Sequence, residues 1–560
     1  MRHLFKVILP LKRFQLFGAV VLLGLLARQA SIAQSPSWDW VADGRLTGTP
    51  IAGGITTYGI GVDKVGNVFF GGLVGDSCTV GSTNLGSKGG TDIFLAKTNS
   101  SGAIQWAKTY GTVNADQIID MVTDTAGNLS AQVWFGSPSF NLDGQIVTSL
   151  IFGVAIAKFD ANGMCTIAKT TQNIAMSTGG LAYSPLGLMA AVNSSVVAKL
   201  SMNCDTLWTR TVPTSGSAAC VFYDVTIDNA GNIIACGTFG GSANFGGVTL
   251  TTPSIADLDD FVVKYNSAGV VQWAKQFGSR GPNDEYAYSV AADQGGHIYV
   301  FGNYRSKIGI ETDTLINGVA LPTIYLAKYS PSGVYEWSLN GTSTNQALGR
   351  RVVCDPSNNI WVAFNPGGTV NFAGQDHIPS TFSGTMLVSI DTAGTFRSRL
   401  KTDGLGLSDP KSLVFNTAGT ALYVGGWHIA SNPAVVTFGS TTLNTSGNYI
   451  AKASPGVPTG VDDDLQVPSQ FVLEQNYPNP FNPTTTIAFS LNRRENVKIE
   501  LFNIAGQKVR TLLDETRSAG EHVVLWNGRD DAGRPVATGT YLYRLTTDDQ
   551  VQTKKMLLIK

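Results

Sequence analysis

Histidine is the side chain best suited to proton transfer or zinc binding near neutral pH. Three of the five histidines, His297, His377 and His428, lie far apart in the central region. None belongs to a His-x-x-x-His pair, which would place two zinc ligands on one face of a helix. We therefore expect these histidines to pack within the fold, although residues from distant segments can also converge on a common axis.

Acidic side chains recur in turns of the form Asp-x-x-Gly-Asn, for example at Asp63, Asp124 and Asp228. A calcium-binding EF-hand loop ends with a bidentate Glu, and none of these turns is followed by one at the required position. We expect the Asp carboxylate to accept hydrogen bonds within the turn while Gly adopts a positive φ. The pattern therefore predicts a tight connection that enters a strand.

Two further groups of residues could bind a metal. One is an acidic cluster, interpreted here as solvated loop charge, that consists of Asp257, Asp259, Asp260, Asp284 and Glu285. The other is a set of cysteines without the Cys-x-x-Cys spacing of zinc sites, namely Cys78, Cys165, Cys204, Cys220, Cys236 and Cys354. Buried thiols and disulfides are both consistent with export, and Cys220 with Cys236 is the favoured pair if one forms. The sequence predicts no metal and no cofactor.

Aromatic residues offer a different chemistry, the binding of flat or apolar ligand surfaces. One tryptophan recurs at an equivalent position of several repeats, at Trp106, Trp208, Trp273 and Trp337. A repeated architecture repeats its core first, so packing between repeats is favoured over a ladder that stacks on sugars. Less regular aromatics follow the first strand of a repeat and are the candidate ligand-binding residues at the rim: Trp134, Tyr304, Trp361 and Trp427.

Composition limits the partners. The chain has 560 residues, a formal net charge of −1, and only 14% charged residues. Binding to nucleic-acid phosphates requires at least a local excess of Lys and Arg, and we find no such stripe. No nucleic-acid partner is therefore expected. The length suits one large domain and one small domain.

The central region is built from repeats of about sixty residues, which must position all of these side chains. The turns that mark them begin at Asp63, Asp124, Ser184, Asp228, Asp293, Asp355 and Asn416. In each repeat the apolar segment after the turn is followed by an F-G-x-x-T-L-like piece, a D-I-F-L-A-K-like piece and a Q-W-A-K-like piece. We interpret these as four strands per repeat, which predicts an all-β, seven-bladed β-propeller. Residues 36–44 read like the strand that the last repeat lacks, so we expect them to close the ring.

These repeats resemble the bacterial β-propeller repeat family found on exported proteins. The resemblance covers roughly residues 36–453 and rests on the recurring Asp-x-x-Gly-Asn turn. It implies the ring but assigns no reaction.

The C-terminal segment has another pattern, with short alternating strands separated by the turns A-G-Q and D-D-A-G-R. Alternation of apolar residues predicts a small antiparallel sandwich. Its motifs resemble the C-terminal sorting domain of the type IX secretion system, whose immunoglobulin-like fold is related to the flagellar hook-capping family. The residues that carry the resemblance are Asn476, Tyr477, Pro478, Asn479, Pro480, Phe481, Asn482, Pro483, Gly506, Gly539 and Tyr541. The resemblance implies export by that machinery, removal of the tag, and release or attachment to surface lipopolysaccharide.

The N-terminus carries basic residues before an apolar run at residues 14–26, and then small residues. This pattern predicts a signal peptide cut between Ala33 and Gln34. No later run is long enough to span a membrane, so no transmembrane segment is expected in the mature chain. The predicted organisation is signal 1–33, propeller 34–456, linker 457–470 and sorting domain 471–560.

The sequence therefore predicts a secreted or outer-membrane surface protein that acts as a non-catalytic binding or structural module. It is expected to be a monomer with a glycan or protein ligand on the ring. No Gly-x-Ser-x-Gly nucleophile elbow is present, and no catalytic residue is predicted. The alternatives are an extracellular enzyme that degrades a polysaccharide or another polymer at the rim or axis, and a passive spacer.

Overall fold

The computed structural model describes residues 35–46, 57–75, 77–124, 126–172, 179–215, 220–253, 257–278, 285–377, 379, 384–430, 435–456, 471–476, 479–491, 495–517, 520–547 and 549–559. The predicted signal peptide with its cleavage site at Ala33 and Gln34, and the linker 457–470, lie outside these residues. In the described segments, no helix is long and apolar enough to cross a membrane.

Strands β1 to β42 form the large domain. The first half comprises β1 (Ser37–Leu46), β2 (Thr57–Val62), β3 (Val68–Val74), β4 (Ser77–Val80), β5 (Thr83–Gly86), β6 (Asp92–Thr98), β7 (Ile104–Tyr110), β8 (Asp116–Thr123), β9 (Leu129–Phe135), β10 (Ser139–Leu142), β11 (Gln145–Thr148), β12 (Gly153–Phe159), β13 (Cys165–Gln172), β14 (Gly179–Ser184), β15 (Leu188–Asn193), β16 (Val196–Ser201), β17 (Thr206–Thr211), β18 (Thr214–Ser215), β19 (Val221–Ile227), β20 (Ile233–Gly240), β21 (Ser242–Asn244) and β22 (Thr249–Thr251). The second half comprises β23 (Leu258–Tyr265), β24 (Val271–Gly278), β25 (Tyr286–Ala292), β26 (Ile298–Arg305), β27 (Lys307–Ile310), β28 (Asp313–Ile316), β29 (Pro322–Tyr329), β30 (Tyr335–Asn340), β31 (Thr342–Ser343), β32 (Ala347–Cys354), β33 (Ile360–Pro366), β34 (Val370–Phe372), β35 (Gln375–His377), β36 (Met386–Ile390), β37 (Phe396–Lys401), β38 (Leu407–Phe415), β39 (Leu422–Ile429), β40 (Val436–Phe438), β41 (Thr441–Leu443) and β42 (Gly447–Ser454).

Each blade is a four-stranded antiparallel unit, ordered from the axis outward. Blades one to seven are β2-β3-β6-β7, β8-β9-β12-β13, β14-β15-β16-β17, β19-β20-β23-β24, β25-β26-β29-β30, β32-β33-β36-β37 and β38-β39-β42-β1. The first strands of successive blades pack beside one another, and β2 packs beside β38. Strand β1 pairs with β42 from Ser37 opposite Ser454 to Arg45 opposite Gly447. The N-terminal strand thus supplies the outer strand of the last blade.

The four strands of a blade differ from those interpreted in the sequence. The innermost strand precedes the Asp turn, and its sequence does not repeat. The F-G-x-x-T-L piece instead forms a separate hairpin outside the four-stranded unit, such as β4-β5 or β27-β28. Hairpin β27-β28 of blade five pairs with β24, the outer strand of blade four. The hairpins therefore join neighbouring blades.

The central strands are apolar on both faces because each lies between two other blades. In β20, Ile233 and Ala235 enter one core cluster, whereas Ile234 and Cys236 enter the next. Cys220 belongs to the first cluster, so the favoured Cys220–Cys236 disulfide does not form. All six cysteines are free thiols, and burial raises the pKa of Cys78 to about 11.

The Asp turns have the predicted geometry. Asp228 accepts hydrogen bonds from the backbone N–H groups of Ala230 at 3.0 Å and Asn232 at 2.9 Å, and Gly231 has φ +75°. Lys264 lies 2.9 Å from the same carboxylate. Burial favours the neutral acid, but Asn232 and Lys264 outweigh it and lower the pKa of Asp228. Asp228 therefore holds its turn in place as an ionised group.

The C-terminal domain packs two sheets face to face. Its strands are β43 (Val472–Leu473), β44 (Thr485–Leu491), β45 (Glu495–Asn503), β46 (Lys508–Arg517), β47 (Gly520–Trp526), β48 (Gly539–Thr546) and β49 (Val551–Leu558). The sheets are β43-β44-β47 and β46-β45-β48-β49. Alternate residues of β45 and β48 point into one core around Trp526, which gives the predicted sandwich.

Candidate functional site

The innermost strands of all seven blades line a cavity of about 470 Å³ at the ring axis. Its walls are largely aliphatic and come from residues 60–62, 121–123, 181–183, 225–226, 290–292, 352–354 and 413–415. Asp120, Asp224, Ser289 and Arg351 line it at an earlier position of their strands. Polar side chains also line it next to the turns, at Thr123, Asp124, Thr226 and Thr417, so aliphatic and polar groups are mixed along the channel.

Arg351 connects distant blades within the channel. Its Nη1 lies 2.8 Å from Oδ1 of Asp224, and its Nη2 lies 3.5 Å from Oδ2 of Asp120. The Nε atom donates to the carbonyl of Lys411 at 3.3 Å. A residue of blade six thus contacts blades two, four and seven, and the network spans the channel.

The carboxylates of this network are held by backbone groups as well. Asp120 accepts from the N–H groups of Met121 at 2.8 Å and Leu181 at 3.1 Å. Asp224 accepts from the Ser289 hydroxyl at 2.7 Å. Burial raises the pKa of Asp120 to about 6, against the opposing effect of Arg351. The channel therefore contains one acid that titrates in the mildly acidic range.

A β-bulge recurs on six of the seven innermost strands. Its extra residue directly precedes the strand position that Asp120, Asp224, Ser289 and Arg351 occupy in the axial network. The pairing register shifts at the same relative place in β2, β8, β19, β25, β32 and β38, and β14 pairs without a shift. The extra residues are Tyr58, Ile119, Tyr223, Tyr288, Arg350 and Lys411. Bulges re-aim side chains and are common next to functional sites. We call the last four of these, with Tyr286 and Asp409, the bulge arc.

The first half of the bulge arc is aromatic and comes from blades four and five. The rings of Tyr286 and Tyr288 stack with centroids 5.4 Å apart and planes 13° apart. Tyr223 lies 5.4 Å from Tyr288 across the boundary between the blades. All three side chains are half-buried. Burial raises the pKa of Tyr223 to about 12, so its phenol is a neutral hydrogen-bonding group at physiological pH.

The second half of the arc is cationic and comes from blades six and seven. Arg350 binds Asp409 through Nε and Nη2, both at 2.8 Å. Lys411 lies 2.9 Å from the same carboxylate. Burial, and then the neighbouring Arg350, lower the pKa of Lys411. With all three residues ionised, this half of the arc has one net positive charge.

The histidines singled out in the sequence do not meet. His297 lies 3.1 Å from the turn residue Asp293. His377 is buried with Nε2 3.0 Å from the Phe372 carbonyl, and His428 is buried beside the Thr445 carbonyl at 2.6 Å. Burial lowers the pKa of both His377 and His428 to about 4. Each of the three belongs to the local packing of a different blade.

The acidic cluster is also divided, and the interpretation of it as solvated loop charge is wrong. Asp257, Asp259, Asp260 and Glu285 are all buried, because strand β23 carries Asp259 and Asp260 into the ring. Asp260 accepts from the N–H of Ala287 at 2.8 Å and from the Tyr325 hydroxyl at 2.6 Å, inside the interface of blades four and five. Asp259 accepts from Gln276 at 2.5 Å. Asp284 lies outside the described residues. Across the part of the chain that the structure describes, no group of three His, Cys, Asp or Glu side chains has a metal-binding arrangement.

The recurring tryptophans lie between blades. Each donates its indole N–H to a carbonyl in the outer turn of the next blade: Trp106 to Ala161 at 3.2 Å, Trp208 to Ser267 at 3.1 Å, Trp273 to Pro331 at 3.3 Å and Trp337 to Thr392 at 3.2 Å. Trp40 of β1 makes the equivalent bond to Ser100 at 3.1 Å. Their role is packing between repeats, as the sequence predicts.

The four candidate rim aromatics have two different environments. Tyr304 and Trp361 are 0% and 2% exposed and belong to core clusters, so neither offers a surface at the rim. Their strands are central strands of a blade, which explains the burial. Trp134 and Trp427 are half-buried, and their role in ligand binding stays a prediction.

The C-terminal motif that begins at Asn476 is built into the sandwich. Phe481 packs against Trp526 at 5.4 Å, and its N–H donates to the Leu557 carbonyl at 3.0 Å. Asn476 donates from Nδ2 to the Thr485 hydroxyl at 2.8 Å. Gly506 has φ +76° in a turn held by Asn503, and Tyr541 donates to the Ala537 carbonyl at 2.6 Å. Tyr477 and Pro478 lie outside the described residues, while Asn479, Pro480, Asn482, Pro483 and Gly539 lie within them.

The sequence analysis missed the axial network and the bulge arc. A usable signal was present, because Asp120, Asp224, Ser289 and Arg351 each lie four positions before the first residue of a repeated turn. The arc residues Tyr223, Tyr288, Arg350 and Lys411 lie five positions before it. A motif search that begins at the turn overlooks the strand that precedes it.

The fold and the channel define the large domain as a β-propeller and the small one as an immunoglobulin-like domain. The family model of the FlgD Ig-like domain matches residues 479–550. A segment of 170 residues is 26% identical to an uncharacterized WD repeat-containing protein, L264, of Acanthamoeba polyphaga mimivirus. That match covers 28% of this chain and 12% of the relative, so the chain spans about an eighth of that protein.

Solved structures with a similar arrangement include the WD40 domain of Pan2 from Neurospora crassa. It is 9% identical, with coverage of 71% of this chain and 89% of that chain, and the TM-score is 0.38. PorZ of Porphyromonas gingivalis, a bacterial surface component of the type IX secretion system, is 9% identical with coverage of 90% and 99% and a TM-score of 0.17. At these TM-scores, neither likeness carries an argument about function.

Proposed function

We propose that this protein is exported by the type IX secretion system through its C-terminal domain, and that its propeller is a non-catalytic binding module at the cell surface or in the medium. The observation that carries the binding role is the bulge arc. It joins aromatic and cationic side chains from four blades at equivalent positions, whereas the tryptophans that hold the outer strands of neighbouring blades together recur. Side chains that differ at equivalent positions of a repeat are the natural source of specificity.

The axial network supports a structural role for the channel acids. The carboxylates of Asp120 and Asp224 bind backbone N–H groups, the Ser289 hydroxyl and the Arg351 guanidinium. Such contacts fix the positions of the innermost strands relative to one another. We assign this network to holding the ring and assign ligand binding to the arc beside it.

The export role rests on the C-terminal motif. The segment from Asn479 to Pro483 lies along β49, where Phe481 pairs with Leu558, and the family model of the FlgD Ig-like domain covers it. Intact mass and N-terminal sequence of the protein recovered from the medium and from the cell surface test this role. We expect a mature product that begins at Gln34 and ends within residues 457–470. A full-length product retained inside the cell would contradict it.

One observation favours a second candidate, an enzyme that acts on a polymer. Asp120 has a pKa raised to about 6 beside a cavity of about 470 Å³, and perturbed acids in cavities are typical of catalytic sites. Incubation of polysaccharides with wild type and with D120N distinguishes the candidates. The binding proposal predicts no new reducing or unsaturated ends with either protein. Product formed by wild type and abolished in D120N would establish the enzyme.

A further inference from the structure

We propose that the bulge arc binds an acidic saccharide, meaning a sugar chain that bears carboxylate groups. This inference rests on the proposed binding function and names its ligand class. Tyr223, Tyr288, Arg350 and Lys411 lie on the innermost strands of four successive blades, and each directly precedes a residue that lines the channel. A ligand that contacts all four residues therefore requires several assembled blades and cannot be bound in the same way by a single blade.

The tyrosines supply a surface for a sugar ring. A pyranose presents C–H groups on its face, and these pack well against an aromatic ring. The stacked pair Tyr286 and Tyr288 and the tilted ring of Tyr223 form one aromatic group at an edge of the channel. Their hydroxyl groups can also exchange hydrogen bonds with the hydroxyls of a sugar.

The cations supply recognition of a carboxylate. Arg350 uses two of its five N–H donors on Asp409, and Lys411 approaches the same acid. One carboxylate is shared by two cations, so this half of the arc has more cations than acids. Asp260 also acts on Tyr288, but burial raises the pKa of Asp260 and favours its neutral form. Electrostatic interaction links Arg350 with Tyr288, so the aromatic and cationic halves are adjacent. A ring on the tyrosines can thus place its carboxylate toward Arg350.

The charge also disfavours other ligand classes. A cationic ligand would meet Arg350 and Lys411 beside the same aromatic rings. A nucleic acid needs a run of cations to neutralise successive phosphates, whereas the arc offers two cations and one acid. An acidic peptide shares the charge of the saccharide but lacks the flat C–H face, so it serves as the competitor in the test.

The test is calorimetric titration of the mature protein with oligogalacturonate, compared with an uncharged galacto-oligosaccharide of equal length. We expect binding of the acidic oligomer only, weakened as salt rises. R350Q and Y288A should each reduce affinity at least about tenfold, a difference of about 1.4 kcal/mol. K307Q, which removes an exposed lysine of an outer hairpin, should bind within about twofold of wild type.

Three results would overturn the site. They are equal affinity for the uncharged oligomer, unchanged affinity in both R350Q and Y288A, and displacement by poly-glutamate as effective as by oligogalacturonate itself. Unfolding midpoints of the variants show whether any loss reflects misfolding, and K411Q provides an independent third variant. Binding of a neutral glycan or protein that R350Q and Y288A leave unchanged would overturn this site but leave the binding function. Cleavage of the oligomer would overturn the non-catalytic function instead.

Discussion

On the outer strands of the propeller, five blades repeat one contact, in which a tryptophan donates to a carbonyl of the following blade. On the innermost strands, equivalent positions of four blades supply Asp120, Asp224, Ser289 and Arg351 to a network that crosses the axis. Arg351 there contacts Asp120, which is 231 positions away in the chain. The outer contact is a property of the repeat, whereas the inner network is a property of the closed ring.

The two regions also use acids differently. Asp228 is in a turn, where Asn232 and Lys264 hold it ionised, and its pKa is lowered. Asp120 faces the channel, where burial dominates, and its pKa is raised to about 6. The acid of the repeated turn thus has its charged partner in its own blade. The acid of the axial network instead shares a cation with an acid of another blade. The following variants test whether the axial network contributes more to the free energy of unfolding than the repeated outer contacts do.

The largest effect is expected from Arg351→Met. This change leaves Asp120 and Asp224 without their common cation, and breaking a buried ion pair costs about 3 to 5 kcal/mol. Urea unfolding at neutral pH measures the loss. The control is D120N/D224N/R351M, in which no charge is left unpaired and most of the stability should return. A loss below about 1 kcal/mol for R351M would mean that the network does not hold the ring.

The next effect is the pH dependence contributed by Asp120. Its pKa is raised from 3.8 to about 6 on folding, so the folded state binds the proton more tightly. This stabilisation is complete below pH 3.8 and disappears as pH rises through 6, a change of about 3 kcal/mol. The difference between the unfolding free energies of wild type and D120N should therefore change by this amount between pH 3.5 and pH 7.

The comparison with D120N separates this contribution from others. Asp116 and Asp259 also have pKa values raised to about 6, and His377 and His428 act in the opposite direction because their pKa values fall to about 4. These groups are common to both proteins and cancel in the difference. A constant difference between the two proteins over this pH range would refute the assignment to Asp120.

A smaller effect is expected where the outer turn of one blade packs against the tryptophan of the preceding blade. A Cβ on Gly333, which has φ +80°, would lie 2.7 Å from the Trp273 ring. G333A should therefore destabilise by about 2 to 3 kcal/mol through backbone strain and overlap. Gly374 has φ +76° but no atom within 4 Å of such a Cβ, so G374A should cost only about 1 kcal/mol. Equal losses in urea unfolding would mean that the contact with Trp273 is loose.

The smallest effect belongs to the repeated hydrogen bond. Trp273→Phe keeps an aromatic ring but removes the donor to the Pro331 carbonyl, which costs about 1 kcal/mol. W337F removes the equivalent bond to Thr392 and should cost the same within about 0.5 kcal/mol. The double variant should show additive losses in chemical denaturation. Unequal losses would show that the outer contacts are not equivalent between blades.

Most of the fold could be predicted from the sequence because its signals are local. The turn at Asp228 needs only an acid, a glycine and an amide within a few residues, and the apolar alternation of β45 and β48 identifies the sandwich strands. The candidate site could not be predicted in the same way. Tyr223 and Lys411 are ordinary strand residues until a one-residue shift in pairing makes them the extra residues of bulges.

The interpretation of the aromatics shows the same limit. Trp106 and Trp273 were assigned correctly because recurrence reveals a repeated packing role. Tyr304 and Trp361 do not recur, but they lie on central strands, where both faces are covered by neighbouring blades. Irregularity in the sequence therefore did not distinguish a buried aromatic from an exposed one.

The sequence by itself determined the number and spacing of the repeats, the chemistry of their turns and the sandwich motif, because each depends on residues close together in the chain. The tertiary structure alone decided which residues share the axis. Asp120, Asp224 and Arg351 meet because the blades are arranged in a ring, and no local pattern encodes that distance. The ligand class proposed for the bulge arc likewise follows from the arrangement of blades four to seven side by side.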